Sequence, residues 1–413
     1  MNIFLVLIIG FLVATYLLDI VVELLNLKSL TPTVPMEFSG VFDADKYKQS
    51  QLYLLDQTRF GLIQESLGTA VTLLFIVMGG FNWMDIWVRA AGLGPIITGV
   101  LFFAALSFFS GCLSFPFTLY GTFVIEEKFG FNKTTVRTFI LDLIKGLILA
   151  AVLGAPLLAG ILWFFGTVGV SAWIWCWVFV TLIQLVLMVV APVLLMPLFN
   201  KFEPLEEGDL KRAITTYAKK EGFEMSGVFK MDGSKRSSKS NAFFTGLGKY
   251  RRIVLFDTLI ANHTVDELLA IIAHEMGHYK KRHIYKTTAI SLGMTGVMFF
   301  VLSLFLNNPE LFDAFKMQNL SIYASLVLFS FLFSPISKVL GIFSAMLSRK
   351  HEYEADAYAA QTIGGPEALI SGLKKLSVDN FSNLTPHPLK VFLEYSHPPV
   401  LLRISALKKI KVS

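Results

Sequence analysis

Seven apolar segments recur along this 413-residue chain, at residues 3–26, 62–82, 94–120, 138–166, 169–198, 287–307 and 321–343. A helix of about 20 residues crosses the hydrocarbon core of a bilayer, which is about 30 Å thick. Hydrophobic residues make up 54% of the chain and charged residues only 16%, which excludes an ordinary water-soluble protein. The sequence therefore predicts an α-helical polytopic membrane protein with about seven transmembrane helices.

The apolar segments divide the chain into four parts. Residues 1–198 hold transmembrane helices 1–5 with cytoplasmic loops, and residues 199–286 form a polar insertion. Residues 287–343 hold helices 6 and 7, and residues 344–413 form a polar tail. The first apolar segment has no basic flank or small-residue cleavage site, so we expect a retained helix rather than a cleaved signal peptide.

Short strands are predicted within the insertion, at 227–231, 241–245 and 252–256. The stretches "DGSKRSSKS" and "GLGKY" separate these strands and have the composition of turns. A small sheet beside a helical site is therefore predicted, which gives the polar portion an α+β character.

The positive charges are distributed unevenly about the predicted spans. Of the 36 Lys and Arg residues, Arg89 and Lys316 fall in loops on the N-terminal side and Lys145 and Lys338 within spans. All the others lie on the opposite side, which is cytoplasmic by the positive-inside rule. This pattern suits a bacterial inner membrane and an endoplasmic reticulum equally. The net charge of +6 reflects topology and contact with the lipid bilayer, so we predict no nucleic-acid partner.

Several charged residues fall inside the spans, namely Asp19, Glu23, Glu65, Asp142 and Lys145. Charge within a membrane is costly, so these side chains are expected to face a polar cavity or one another. A tight bundle with paired charges is the alternative arrangement.

The stretch "AHEMGHY" contains an H-E-x-x-H motif on a helix with a clear start. Thr264 and Glu267 form a capping box ahead of an apolar run. His274 and His278 are four residues apart, so they project from one helix face and can bind a single Zn²⁺. Glu275 lies about 100° away, where a base for a water molecule belongs. Two ordinary histidines at the membrane interface are the alternative.

A third ligand is expected from another helix, and "RKHEYEADAYAAQTIGG" supplies a candidate. Glu352 and Asp356 are i and i+4 on one face of a helix that stops at Gly364 and Gly365, so Glu352 could bind the metal while Asp356 orients a histidine. Glu354 points away from that face. A solvated charged helix would show the same pattern.

The positions of the two motifs favour a shared site. The histidines precede the hairpin of helices 6 and 7 and Glu352 follows it, so both emerge on the same side. Lys286, directly before the next predicted span, is only about 12 Å beyond His278 along the chain. The site is therefore predicted at or within the membrane boundary.

Six stretches together closely resemble the type I CaaX prenyl protease family, which are membrane-integral zinc metalloproteases of the gluzincin group. They are "SFPFTLYGTFVIEEKFGFNKTT", "SKRSSKSNAFFTGLG", "VLFDTLI", "AHEMGHY", "HEYEADAYA" and "LEYSHPPVLLRISALKK". The resemblance covers nearly the whole chain. It implies a ring of seven helices around a large polar chamber, with a small cytoplasmic zincin-like α+β portion.

The resemblance also implies the roles of individual residues. The zinc ligands would be His274, His278 and Glu352, the general base Glu275, and Asp356 would hold a ligand in place.

Further residues enter through the same resemblance, from the S-N-A and H-P-P segments. Asn241 and Ala242 would hold the substrate backbone on an edge strand. His397 and Arg403 would contact the substrate and stabilise the transition state.

The expected activity is cleavage of the C-terminal tripeptide from prenylated CaaX substrates by a zinc endopeptidase. Two alternatives remain open at this stage. The first is a membrane quality-control zinc protease that acts on unprenylated polypeptides. The second is a membrane scaffold that carries zinc without catalysis.

Overall fold

The computed structural model describes residues 2–246 and 251–411. Within these ranges, seven helices are long and apolar enough to cross a membrane, which confirms the predicted fold class. They span Ile3–Lys28, Ala44–Val77, Pro95–Glu126, Val136–Thr167, Gly169–Leu198, His283–Phe305 and Ile322–Ile363. The predicted turn "GLGKY" lies almost wholly outside the described residues.

The N-terminal half contains helices α1 to α7. They are α1 (Ile3–Lys28), α2 (Ala44–Val77), α3 (Gly80–Arg89), α4 (Pro95–Tyr120), α5 (Val136–Leu149), α6 (Ala155–Thr167) and α7 (Ala172–Val190). Wider π-helical turns extend α4 through Glu126, join α5 to α6, and extend α7 through Leu195. Single 3₁₀ turns occur at Met36–Phe38, Gly169–Ser171, Met196–Leu198 and Gly233–Lys235.

The second span differs most from its prediction. The sequence places it at 62–82, whereas α2 begins at Ala44 and ends at Val77. Asp43 caps its start by accepting hydrogen bonds from the backbone N–H groups of Asp45 and Lys46. Hydropathy detects only the apolar part of a helix, so the polar turns before residue 62 escaped it. Gly79, at φ 74°, then turns the chain into α3.

Most side chains of the spanning helices are not buried within the protein. At most 17% of the most apolar 18-residue window of any span is buried. Helices that stand around an open interior have two exposed faces, whereas a tight bundle would bury one face of each.

Three of the five charged residues predicted inside the spans form ion pairs, each with a residue outside that set. The ion pairs are Asp19 with Lys338, Glu23 with Lys390, and Asp142 with Arg236. Lys145 instead donates a hydrogen bond of 2.7 Å to the carbonyl oxygen of Leu198. Glu65 lies in the electrostatic field of Asp19 and Lys338. Because Arg236 and Lys390 belong to the polar segments, two of these pairs join the spans to the polar portion.

The C-terminal half alternates between the membrane and the polar portion, which we define as residues 199–280 and 344–411. Its helices are α8 (Asp209–Lys220), α9 (Asp257–Asn262), α10 (Val265–Lys280), α11 (His283–Phe305), α12 (Pro309–Ala314), α13 (Ile322–Ile363), α14 (Glu367–Asp379), α15 (Pro388–Glu394) and α16 (Val400–Leu407). The domain boundaries near 198, 286 and 343 stay predictions, and α13 crosses the last of them without interruption.

A four-stranded sheet lies in the polar portion, with strands β1 (Phe202–Pro204), β2 (Gly227–Met231), β3 (Ala242–Thr245) and β4 (Arg252–Phe256). Their order is β1-β2-β4-β3, with β2 and β4 parallel and the outer pairs antiparallel. The predicted strands are therefore present, with β3 one residue shorter at its start. β1 was missed because it is only three residues long and contains proline.

The core of the polar portion lies between the sheet, α8, α10 and α14. Its fully buried side chains include Ile214, Leu255, Leu259, Ile272 and Met276. These residues fix one face of α10 against the sheet. The capping box predicted at Thr264 and Glu267 is present and sets the first turn of that helix.

Candidate metal centre and active site

Three side chains on two helices converge at one point. His274 and His278 lie on α10 and Glu352 lies on α13, and one ligand atom from each falls within 4.8 Å of the others. The Nε2 atoms of the two histidines are 3.2 Å apart. The carboxylate oxygens of Glu352 lie 3.4 Å from Nε2 of His274 and 3.2 Å from Nε2 of His278. The structure thus brings together the three residues that the sequence singled out as metal ligands.

These distances suit a small tetrahedral metal ion. Zn²⁺ binds nitrogen and oxygen ligands at about 2.0–2.2 Å, so neighbouring ligand atoms of a tetrahedral site lie about 3.4 Å apart. Oε2 of Glu352 is buried and accepts no hydrogen bond within the described part of the chain. Two imidazoles and a carboxylate are the donor set of a catalytic zinc site that keeps one position open. The side chains at this site therefore fit a Zn²⁺ ion.

Close packing of α10 and α13 makes this convergence possible. A Cβ atom added to Gly277 would lie 2.9 Å from Cα and 3.1 Å from the carbonyl oxygen of Ala355. No side chain fits between the two backbones at this position. Gly277 lies between the two histidines and Ala355 follows Glu352 by three residues, so the contact holds the three candidate ligand side chains at a common level.

The outer nitrogen of His274 contacts a buried ion pair. Its Nδ1 lies 2.9 Å from Oδ1 of Asp356, as the sequence analysis proposed for that carboxylate. Arg403 donates to both oxygens of Asp356, at 2.8 and 2.6 Å, and its Nη1 lies 3.3 Å from Glu352. Arg403 is only 8% exposed. Its guanidinium is therefore paired mainly with the carboxylates of Asp356 and Glu352 and little with water. A role in the transition state stays a prediction.

The charges around His274 shift its pKa upward. Burial alone would lower the pKa of this imidazole, but hydrogen bonds to Asp356 and Glu352 outweigh it and raise the pKa to about 9. Glu275 is on the same turn of α10, and burial raises its pKa above the ordinary value, against the opposing effect of His274 and His278. A carboxylate with a raised pKa is a better proton acceptor than a solvated one.

His397 reaches the metal site from the loop before α16. Its Nε2 lies 3.4 Å from Oε1 of Glu352, while its side chain is 64% exposed. Its Nδ1 is 2.9 Å from Oγ of Ser396. This imidazole therefore stands at the open side of the site, where a substrate would approach.

The predicted backbone-binding residues lie at the start of β3. Within the described residues this strand pairs with β4 and has no partner on its other side. Oδ1 of Asn241 accepts a hydrogen bond of 2.8 Å from the N–H of Ala242, and the Asn241 carbonyl accepts one from Phe256. Among the described residues, no hydrogen bond joins Asn241 or Ala242 to His274 or His278, and the substrate-binding role of both residues stays a prediction.

The segment that leads into β3 is anchored by side chains that no sequence motif indicates. Lys239 contacts the Tyr53 hydroxyl at 2.7 Å and Glu126 at 3.0 Å. The Asn380 side chain bonds both the N–H and the carbonyl of Ser240. These partners come from distant parts of the sequence, so no local pattern could have indicated them.

Comparison with known proteins finds family models and relatives that match nearly the whole chain. Residues 23–201 match the family described as CAAX prenyl protease N-terminal, five membrane helices, and residues 204–411 match peptidase family M48. A CAAX prenyl protease 1 homolog of Arabidopsis thaliana is 35% identical, with 97% of this chain and 96% of the relative covered. CAAX prenyl protease 1 of Saccharomyces cerevisiae is 33% identical, with 96% and 94% covered.

A solved structure gives the same result at the level of the fold. The crystal structure of S. mikatae Ste24p superposes with a TM-score of 0.93 at 32% sequence identity, covering 98% of this chain and 99% of the other.

Proposed function

Because this chain belongs to the CAAX prenyl protease 1 family of M48 peptidases and is thus a membrane protease, we propose that it removes the C-terminal tripeptide from prenylated CaaX substrates in a zinc-dependent reaction. The observation that carries the proposal is the meeting of His274, His278 and Glu352 beside Glu275. The proposed metal ligands are these two histidines and Glu352.

Bound Zn²⁺ would supply a Lewis acid that polarises the scissile carbonyl and makes water more acidic. Glu275 takes the proton from the attacking water and delivers it to the leaving amine. His397 donates a hydrogen bond to the oxyanion that develops at the carbonyl. The exposure of the His397 side chain on the open side of the site supports this role. Arg403 adds positive charge and, through Asp356, holds His274.

In this proposal the substrate backbone lies along the free edge of β3. Asn241 and Ala242 stand at the start of that edge, and an added strand is recognised through its main chain rather than its side chains. A tolerant recognition of this kind suits variable residues after the prenylated cysteine.

The closeness of the site to the membrane supports a lipid-modified substrate. α11 begins at His283, five residues beyond His278, and is a spanning helix. A prenyl chain could remain in the bilayer while the attached peptide reaches Glu275. The proposal also puts the polar portion on the cytoplasmic side, which the distribution of Lys and Arg supports.

The test is cleavage of a farnesylated CaaX peptide and its unprenylated twin by the purified protein. Mass spectrometry detects the released tripeptide, and Glu275→Gln and a chelator serve as controls. We expect cleavage of the farnesylated peptide that both controls abolish. Equal cleavage of the twins would support the quality-control protease instead. Cleavage that persists in Glu275→Gln would overturn the assignment of the base.

A further inference from the structure

His283 lies directly behind one of the proposed metal ligands. It is the first residue of α11, and Arg282, at φ 58°, turns the chain between α10 and this helix. His283 is 2% exposed. Its Nδ1 lies 3.1 Å from Nδ1 of His278, and its Nε2 lies 2.9 Å from Oε2 of Glu354. A chain of three polar groups therefore runs from the metal centre to a carboxylate on α13.

The geometry permits one arrangement of protons when His278 binds a metal. Nε2 of His278 faces His274 and Glu352, so this nitrogen is the one that offers its lone pair. The proton of a neutral ligand imidazole must then be on Nδ1, which donates to Nδ1 of His283. His283 consequently carries its own proton on Nε2 and donates it to the Glu354 carboxylate.

We propose that His283 and Glu354 are positioning residues that fix the tautomer and ring orientation of His278 and so strengthen metal binding. The inference rests on the proposed metal centre. Ligand histidines commonly donate their second N–H to a carboxylate, and removal of such a partner costs about 10–100-fold in metal affinity. His274 has a carboxylate partner directly in Asp356, whereas His278 reaches one through the intervening imidazole.

The ring of His283 is held by a second contact. It stacks on His351 with the ring centroids 3.8 Å apart and the planes 9° from parallel. His351 directly precedes Glu352 in the sequence. The stacking contact therefore joins His283 to the segment of α13 that carries the third proposed ligand. His283 thus contacts both α10 and α13, the two helices that carry the proposed metal ligands, and is itself buried.

An alternative role for Glu354 is to form an ion pair on the protein surface. Lys350 lies one turn earlier on α13, and its Nζ is 3.9 Å from Oε1 of Glu354. The Lys350 side chain is 72% exposed, so this pair contributes little. Replacing Lys350 removes this pair and leaves the contact of Glu354 with His283 unchanged, which makes it a matched control.

The experiment measures Zn²⁺ affinity of the full-length purified protein by competition with a chelator. The variants are His283→Ala, His283→Asn, Glu354→Ala and Lys350→Ala, with His278→Ala as the reference for loss of a ligand. Absorption of the Co²⁺-substituted protein reports ligand geometry independently of activity. Thermal unfolding of each metal-free variant checks that it folds.

We expect His283→Ala to lower Zn²⁺ affinity about 10–100-fold and to alter the Co²⁺ spectrum. Glu354→Ala also lowers Zn²⁺ affinity. His283→Asn recovers part of the loss because its amide oxygen can replace Nδ1 as the acceptor. Lys350→Ala retains the parent affinity.

Unchanged affinity and spectrum in His283→Ala would overturn the inference, as would an equal loss in Lys350→Ala. If His283→Ala does not fold, Glu354→Ala carries the test, because that side chain is partly exposed. Failure of the parent protein to bind Zn²⁺, or equal binding by His278→Ala, would instead overturn the proposed metal centre.

Discussion

Gly277 on α10 and Ala355 on α13 are in direct backbone contact, at the level where both helices present the proposed metal ligands. An added Cβ on Gly277 would meet main-chain atoms at 2.9 and 3.1 Å, and main-chain atoms cannot rotate away. Active-site groups require placement within about 0.5 Å, so this contact bears directly on the metal centre.

Gly277→Ala is therefore expected to push α10 and α13 apart. We expect a loss of about 1–3 kcal/mol in the free energy of unfolding and a fall in Zn²⁺ affinity of at least about tenfold. Chelator competition and thermal unfolding measure the two effects. Gly293→Ala is the control, because Gly293 is also helical and a Cβ there meets nothing within 4 Å. Equal behaviour of the two variants would contradict the prediction.

Glu267 links the start of α10 to α14. Its carboxylate accepts hydrogen bonds from the N–H of Thr264, from Ser371 and from Lys375, at 2.6–2.8 Å. Burial would raise the pKa of Glu267, but the bonds from Lys375 and Ser371 dominate and lower it from 4.5 to about 2. Because the folded-state pKa is lowered, the carboxylate stabilises the fold above about pH 4.5, and this contribution is lost as the pH falls toward 2.

Glu267→Gln is expected to destabilise the protein by about 1–2 kcal/mol at pH 7, from the lost charge on the cap. The difference from the parent should shrink below about pH 4.5. Thermal unfolding between pH 7 and pH 3 tests this, with Asp266→Asn, an exposed residue in the same turn, as the control. A difference that stays constant with pH would exclude the role of the charge.

Lys239 is expected to position the edge strand for substrate. Its contacts with Tyr53 and Glu126 hold the chain two residues before Asn241. Lys239→Gln should raise KM for the peptide about fivefold, equivalent to about 1 kcal/mol, with a smaller change in kcat. Lys128→Gln, which removes the pair with Asp56 on the same side, is the matched control. A change confined to kcat would argue against a positioning role.

Arg403 offers a test between two roles. Its bidentate contact with Asp356 favours a structural contribution to the metal centre, whereas the sequence resemblance assigns it to the transition state. Arg403→Lys keeps the charge but loses the fork geometry, so we expect weaker Zn²⁺ binding as well as lower kcat. Undiminished Zn²⁺ affinity together with lower kcat would restrict Arg403 to the transition state.

The proposed topology can be tested at two exposed loop residues. Met36 lies between α1 and α2 and Val170 between α6 and α7, and they are 90% and 97% exposed. In a variant without Cys112 and Cys176, we introduce Met36→Cys or Val170→Cys and apply an impermeant maleimide to sealed vesicles with the cytoplasmic face outward. Met36→Cys should react at once and Val170→Cys only after detergent. The reverse result would invert the proposed orientation.

Much of this architecture can be predicted from the sequence because each feature depends on one local physical rule. Apolar length alone indicates the spans, and the capping box at Thr264 and Glu267 marks the start of α10 as the structure has it. The i, i+4 spacing of His274 and His278 puts both imidazoles on one face, and Gly364, at φ 89°, ends α13 where the sequence indicated.

What escaped the sequence depends on contacts between distant segments. The hypothesis that Glu354 points away from the metal was reasonable for one helix, yet this carboxylate meets His283 from another helix. Gly277 resembles any helical glycine until α13 is packed against it. Lys239 and Tyr53 are 186 positions apart, so their pairing leaves no periodic trace.

The 42-residue α13 is at once a membrane span and the carrier of Glu352. From Phe333, within the apolar part, to Glu352 the helix rises about 28 Å. A tilt of about 5° at the membrane would move that carboxylate by about 2 Å, more than a metal centre tolerates. Helix tilt responds to bilayer thickness. We therefore expect bilayer thickness to affect the position of Glu352, and with it the proposed metal centre, through the tilt of α13.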